Sequence, residues 1–164
     1  MKIGIIGTGY VGLPTGVGLA ELGNTVVCLD KLKEKIDALK QGTLTLYEEG
    51  LEELFQKNIA NGRLSFTTNM QKAIEGADIV LIAVGTPPHP VTHEADLSFI
   101  YAAATELAEY LTDYTVVATK STVPVGTGDN IEKIIRIKNP TARYDVISLP
   151  EFLRSLITLH NCSA

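Results

Sequence analysis

The sequence predicts an α/β fold, a doubly wound and mainly parallel sheet of about six strands with helices on both faces. Three observations predict it. Short apolar runs of strand length recur along the chain, each followed by a stretch whose apolar residues have helical spacing, and strands alternating with helices build a parallel sheet. The first apolar run breaks into Gly7-x-Gly9-x-x-Gly12. The second ends in an acid, Asp30, at the distance from the glycines that a Rossmann-type unit requires.

The totals suit one domain. A chain of 164 residues buries roughly 70% of its unfolded surface. The net charge of −5, with acids and bases interspersed, recommends neither nucleic acid nor an anionic membrane as a partner. No apolar run approaches the roughly eighteen residues of a membrane span, and the N-terminus enters a strand without a signal-peptide pattern, so a cytoplasmic location is expected. The two cysteines, Cys28 and Cys162, have no metal or redox spacing, and Cys28 reads as plain core.

In chain order, Ile3, Ile5 and Ile6 are too few for a helix and suit a short strand buried on both faces. Val11, Val17, Leu19, Ala20 and Leu22 then follow helical spacing up to a cap at Gly23. Gly7 permits a sharp turn, Gly9 lets a pyrophosphate approach the backbone, and Gly12 lets the helix pack closely on the strand. The N–H groups at the helix start suit an anion. Thr25 to Asp30 forms the second strand, and the Asp30 carboxylate suits the adenosine ribose hydroxyls. A 2′-phosphate about 4 Å from it would cost roughly 4 kcal/mol per unit charge at an effective dielectric near 20, so NAD is expected rather than NADP.

Residues 31–40 form a helix with Leu32, Ile36 and Leu39 on one face, closed near Gly42, and Lys35 lies close enough to Asp30 to reach a bound adenosine. Thr43 to Gly50 reads as a loop, and Leu51, Leu54, Phe55 and Ile59 mark a helix ending near Asn61-Gly62. Arg63 to Thr68 alternates as an edge strand, and Asn69 or Thr68 caps a short helix up to Glu75-Gly76. Asp78 to Val84 is a buried parallel strand that stops at Gly85-Thr86-Pro87-Pro88. His89 and His93 follow, but Pro90 lies between them and no carboxylate or cysteine completes a site, so no metal is expected. Asp96 or Ser98 caps a long helix with the face Leu97, Ile100, Tyr101, Ala104, Leu107, Ala108 and Leu111. Thr115 to Lys120 forms a strand running into Ser121-Thr122, Ile131, Ile134 and Ile135 mark the next helix, and Tyr144 to Ser148 the last strand.

Ligands of such sheets bind beyond the carboxyl ends of the strands. Polar and bending residues collect there five times: the glycine turn, Asp30, Gly85-Thr86-Pro87, Ser121-Thr122 and Pro150-Glu151. All five are expected to converge on one crevice.

Gly7-Thr8-Gly9-Tyr10-Val11-Gly12-Leu13, Asp30 with Lys35, Tyr47-Glu48-Glu49-Gly50-Leu51, Gly62-Arg63-Leu64, Ala83-Val84-Gly85-Thr86-Pro87, Ala95-Asp96-Leu97-Ser98, the segment from Lys120 to Gly128, and Pro150-Glu151-Phe152-Leu153-Arg154 carry a resemblance. Together they resemble the NAD-binding half of UDP-glucose 6-dehydrogenases, in the UDP-glucose/GDP-mannose dehydrogenase family. The resemblance implies oxidation of UDP-glucose by two NAD and water to UDP-glucuronate. It places Gly7, Gly9, Tyr10, Val11 and Gly12 at the pyrophosphate, Asp30 and Lys35 at the adenosine ribose, and Gly85, Thr86 and Thr122 on the nicotinamide side. It also implies that Thr122 positions a catalytic water, that Glu151 acts as base when water releases the oxidised sugar, and that Phe152, Leu153 and Arg154 contact the sugar nucleotide.

The likeness is expected to end at Arg154, leaving residues 1–154 as a NAD-binding domain and 155–164 as a short tail outside the family pattern. Leu149 stands where family members commonly carry Asn. The family's subunit-pairing helix, its catalytic lysine and the second domain with the nucleophilic cysteine have no counterpart in the chain. The expectation is a truncated product, inactive by itself, arising from a frameshift after Arg154 or a misassigned gene end. Two alternatives accompany it: a non-catalytic NAD-binding module or remnant, and a relative acting on UDP-N-acetylmannosamine, since such relatives often carry the Gly-Leu-Pro found here at Gly12-Leu13-Pro14.

Overall fold

Among the described residues each strand expected from the sequence forms, and every strand pair is parallel. The computed structural model describes residues 1–87 and 95–149. Within them β1 (Lys2–Ile6), β2 (Thr25–Leu29), β3 (Leu64–Thr67), β4 (Ile79–Ile82), β5 (Thr115–Thr119) and β6 (Tyr144–Ser148) form one six-stranded sheet in the order β3-β2-β1-β4-β5-β6. The register places Ile3 opposite Val26 on one side and Ile79 on the other. The connecting helices are α1 (Gly12–Glu21), α2 (Lys33–Lys40), α3 (Leu51–Ala60), α4 (Met70–Ile74), α5 (Ser98–Ala108) and α6 (Thr127–Lys138).

Successive strand residues point to opposite faces, and the two cores follow that alternation. Ile3, Ile5, Val26, Cys28 and Leu81 pack with Leu13 and Val17 of α1, Ile36 and Leu39 of α2, and Phe55 of α3. Ile6, Leu29, Val80 and Ile82 pack with Ile74 of α4, Ile100 and Leu107 of α5, and Ile131 and Ile135 of α6. Cys28 is core, as expected, and burial pushes its thiol pKa up to about 12. Its sulfur also explains a small residue on α1: a Cβ at Gly16 would come within 2.8 Å of Cys28 Sγ.

Two apolar residues depart from their expected stripes. Leu22 is 80% exposed because the chain reverses there, with Gly23 at φ 92° and the Gly23 and Asn24 amides returning to the Ala20 and Leu19 carbonyls. Leu32 is 65% exposed because it stands in extended conformation just ahead of α2, which starts at Lys33. Asn69, rather than Thr68, caps α4, its side chain accepting the Lys72 amide at 3.0 Å. Ahead of α5 the Asp96 carboxylate accepts the Ser98 amide at 2.9 Å. Asn69→Ala is expected to lower stability by about 1 kcal/mol, read as a lower denaturant midpoint at unchanged slope.

Candidate functional site

Because every strand runs the same way, all carboxyl ends meet at one edge of the sheet. The chain leaves β1 toward β2 and leaves β4 toward β5, so the order reverses between these two central neighbours. A cavity of about 370 Å³ opens there, the position at which open α/β sheets bind ligands. Its walls come from Ile6 to Gly9, from Leu29, Asp30, Lys31 and Lys35, from Ala83, Val84, Gly85 and Pro87, and from Met70, Phe99, Ala102 and Ala103.

The glycine turn is built by close approach. Gly7 has φ 105°, and a Cβ on it would lie 2.6 Å from the Ala83 carbonyl oxygen, while the Gly7 amide bonds Leu29 O at 2.8 Å. A Cβ on Gly12 would lie 1.9 Å from the Gly7 carbonyl oxygen, so α1 can start this near the strand only without a side chain there. Gly9 differs, since a Cβ would meet nothing within 4 Å. The protein therefore leaves free space beside it. No side chain caps the start of α1, where the Leu13 amide returns to the Gly9 carbonyl at 3.1 Å.

Asp30, directly after β2, is the electrostatic centre. Its Oδ2 accepts the Thr8 hydroxyl at 2.7 Å and the Thr8 amide at 3.1 Å, and lies 3.3 Å from Lys35 Nζ. Its Oδ1 accepts the Leu32 amide at 3.1 Å. Partial burial raises the carboxyl pKa, but the Thr8 and Leu32 hydrogen bonds and the Lys35 charge outweigh it and hold the pKa below the ordinary aspartate value. Asp30 is thus a carboxylate at neutral pH. Thr8 is fully buried and was not legible as a site residue. Its signal was a hydroxyl inside the glycine motif, a short reach from an acid at the end of the next strand.

The cavity unites Gly7, Gly9, Asp30, Lys35 and Gly85. Tyr10, Val11 and Gly12 begin α1 beside it without lining it: Tyr10 is 77% exposed, Val11 packs against the α1–α3 side of the core, and Gly12 is buried. Thr86 is half-buried and Thr122 exposed, and neither lines the cavity. Between β5 and Thr122, Ser121 is buried and donates to the Val84 carbonyl at 2.6 Å, tying the ends of β4 and β5 together. Glu151, Phe152, Leu153 and Arg154 lie outside the described residues, as do His89, His93, Cys162 and the tail 155–164. Among the described residues no group of three His, Cys, Asp or Glu could hold a metal ion, and no helix is long and apolar enough to cross a membrane.

These features fit a dinucleotide. The free space at Gly9 and the open helix start suit a pyrophosphate, the ionised Asp30 suits ribose hydroxyls, and the apolar walls from Met70 and Phe99 suit a flat base.

Comparison with known proteins agrees. The family model described as "UDP-glucose/GDP-mannose dehydrogenase family, NAD binding domain" matches residues 1–164. The chain is 54% identical over 154 residues to the UDP-glucose 6-dehydrogenase of Rhizobium meliloti (strain 1021), covering 94% of this chain and 35% of that protein. It is 49% identical over 162 residues to UDP-glucose 6-dehydrogenase TuaD of Bacillus subtilis (strain 168), covering 98% and 35%. Among solved structures, GDP-mannose dehydrogenase from Pseudomonas aeruginosa superposes with a TM-score of 0.90 at 34% identity, over 94% of this chain and 37% of that one. A UDP-glucose dehydrogenase from Pyrobaculum islandicum superposes at 0.89 with 36% identity, over 94% and 36%. The chain spans about a third of the length of these relatives.

Proposed function

The chain belongs to the UDP-glucose/GDP-mannose dehydrogenase family, as its NAD-binding domain, and from that premise we propose that it serves a UDP-glucose 6-dehydrogenase. The reaction is UDP-glucose with two NAD and water to UDP-glucuronate with two NADH. The observation that carries the proposal for the substrate is the 54% identity to a relative named for that activity. The ionised Asp30 beside the open space at Gly9 supports the cofactor part.

The chain's own residues divide the work. Asp30 receives the ribose hydroxyls of the adenosine, and Lys35 keeps the carboxylate oriented. The amides of the turn from Gly9 to Gly12, with Tyr10 and Val11 between them, hold the pyrophosphate at the α1 start. Gly85, Thr86 and Thr122 face the nicotinamide, and the Thr122 hydroxyl holds a water within hydrogen-bonding reach. Glu151 takes a proton from that water when the oxidised sugar is released, and Phe152, Leu153 and Arg154 contact the sugar nucleotide. NAD, when bound, supplies the hydride acceptor.

Glu151→Gln in a full-length enzyme is expected to reduce steady-state NADH formation by about 10²-fold, with product release blocked, the scale on which general base catalysis contributes. Unchanged turnover would remove Glu151 from that role.

A second reading, oxidation of UDP-N-acetylmannosamine, is favoured by Pro14. The 164 residues by themselves are expected to bind NAD and to sustain no NADH formation. The test is to incubate the purified chain, and a full-length protein containing it, with NAD and each nucleotide sugar. NADH formed by the full-length protein with UDP-glucose, two per UDP-glucuronate, supports the proposal. Turnover confined to UDP-N-acetylmannosamine replaces it with the second reading, and turnover by the 164 residues alone contradicts the expectation of inactivity.

A further inference from the structure

Asp30 is followed within five residues by Lys31, Lys33 and Lys35. Free ammonium groups at the ribose end of a dinucleotide crevice would attract an additional phosphate, which is the wrong property for an enzyme that uses NAD. In the structure each of the three is matched to a carboxylate. Lys35 Nζ lies 3.3 Å from Asp30, and Lys33 pairs with Asp37 one turn along α2. Lys31 Nζ lies 3.5 Å from Glu106 of α5.

The third pair is the informative one. Lys31 and Lys35 line the cavity and Lys33 does not. Glu106 stands one helical turn beyond Ala102 and Ala103, the α5 residues in the cavity wall, so the pair links the end of β2 to α5 beside the cavity. Asp30, Lys35, Lys31 and Glu106 together carry no net charge. Without Glu106 the set becomes positive, and the flexible Lys31 side chain is free to turn toward the ribose.

We infer that Glu106 is a positioning residue for cofactor choice: by holding Lys31 it keeps a cation from serving a 2′-phosphate and so reinforces the preference for NAD over NADP. The inference rests on the reading of the crevice as a NAD site. Asp30 supplies the main repulsion, and Glu106 denies the phosphate a counter-charge. The side chains of Lys31 and Glu106 are 72% and 42% exposed, so the effect is modest and weakens with salt.

The experiment titrates the 164-residue chain with NADH and NADPH, followed by their fluorescence, at low and high salt. The variants are Glu106→Gln, Lys31→Gln, the double variant and Asp30→Ala. At low salt Glu106→Gln is expected to raise NADPH affinity relative to NADH by roughly threefold to fivefold, the range of an exposed ion pair. The gain shrinks at high salt and is absent from the double variant. A role confined to folding would move both affinities together and leave their ratio unchanged, which overturns the inference. The same gain in the Lys31→Gln background also overturns it. If Asp30→Ala leaves NADH affinity intact, the crevice reading itself fails; if NADH affinity falls but the Glu106→Gln ratio does not move, only the role of Glu106 fails.

Discussion

Gly9→Ala is expected to leave the chain as stable as the parent and to weaken NAD binding by about tenfold or more. The two halves of this result have separate causes. Gly9 is not among the glycines with positive φ, and a Cβ there meets nothing within 4 Å, so alanine fits without strain or displacement. In the proposed cofactor site, the space the methyl enters is the space a pyrophosphate would need in order to reach the amides at the start of α1. Gly12→Ala is the contrasting variant. Its Cβ would fall 1.9 Å from the Gly7 carbonyl oxygen, a backbone atom that cannot swing aside, so α1 must shift from the strand. Overpacking of that kind costs on the order of 1–3 kcal/mol or more, a fall in Tm of roughly 2–4 °C per kcal/mol at this chain length. Thermal melts paired with NAD titration separate the two glycines. A Gly9→Ala protein that melts much earlier, or binds NAD as the parent does, contradicts the division of labour.

Asp30→Asn is expected to have the second large effect, on both stability and cofactor choice. The carboxylate accepts the Thr8 hydroxyl, two backbone amides and the Lys35 ammonium, and hydrogen bonds to a charged group contribute roughly 1.5–3 kcal/mol each. Asparagine keeps acceptor capacity but loses the charge, so a loss of about 1–3 kcal/mol is expected, with NAD binding weakened and NADP binding gaining relative to it. The pH dependence follows from the direction of the pKa shift. The folded-state pKa of Asp30 lies below its unfolded value of about 3.9, so its stabilisation is fully present above that value. It is lost as pH falls through the lower, folded pKa. The parent should therefore show no Asp30-dependent change between pH 5 and 8, and the difference in stability between parent and Asp30→Asn should shrink below about pH 4. A difference that persists unchanged into acid would mean that the charge is not what Asp30 contributes.

Much of the fold was legible in the sequence because the signals that specify it are local. Ile3, Ile5 and Ile6 before three spaced glycines, and Thr25 to Asp30 after them, each identify an element from its own residues, and parallel alternation follows from their order. Lys35 was legible for the same reason: it lies one helical turn and a residue from Asp30. Leu22 and Leu32 misled because apolar spacing runs past the helix ends, beyond the last turn of α1 at Leu22 and ahead of the first turn of α2 at Leu32, and periodicity carries no record of where a helix stops or starts. Asn58 was invisible as a core residue, since its burial depends on Glu21 of α1, which takes a hydrogen bond from its amide at 3.0 Å.

The candidate site divides in the same way. Gly7, Gly9 and Asp30 announce themselves by spacing, but Met70 reaches the cavity because α4 crosses β2 and β1 between β3 and β4, and Phe99 because α5, in the connection from β4 to β5, packs beside α4. Of the five polar strand ends, the fifth, Pro150-Glu151, lies outside the described residues. The ends of β1, β2 and β4 share the cavity, and β5 joins them through the Ser121 bond to Val84, leaving Thr122 outside its wall.

The central claim is that this chain folds into a crevice that holds NAD through Asp30 and the open turn at Gly9. Calorimetric titration of the purified 164-residue chain with NAD and with NADP tests it most directly. Saturable binding of one NAD per chain, with NADP at least tenfold weaker, is the result the geometry predicts; equal affinity for the two, or no binding of either, would contradict it.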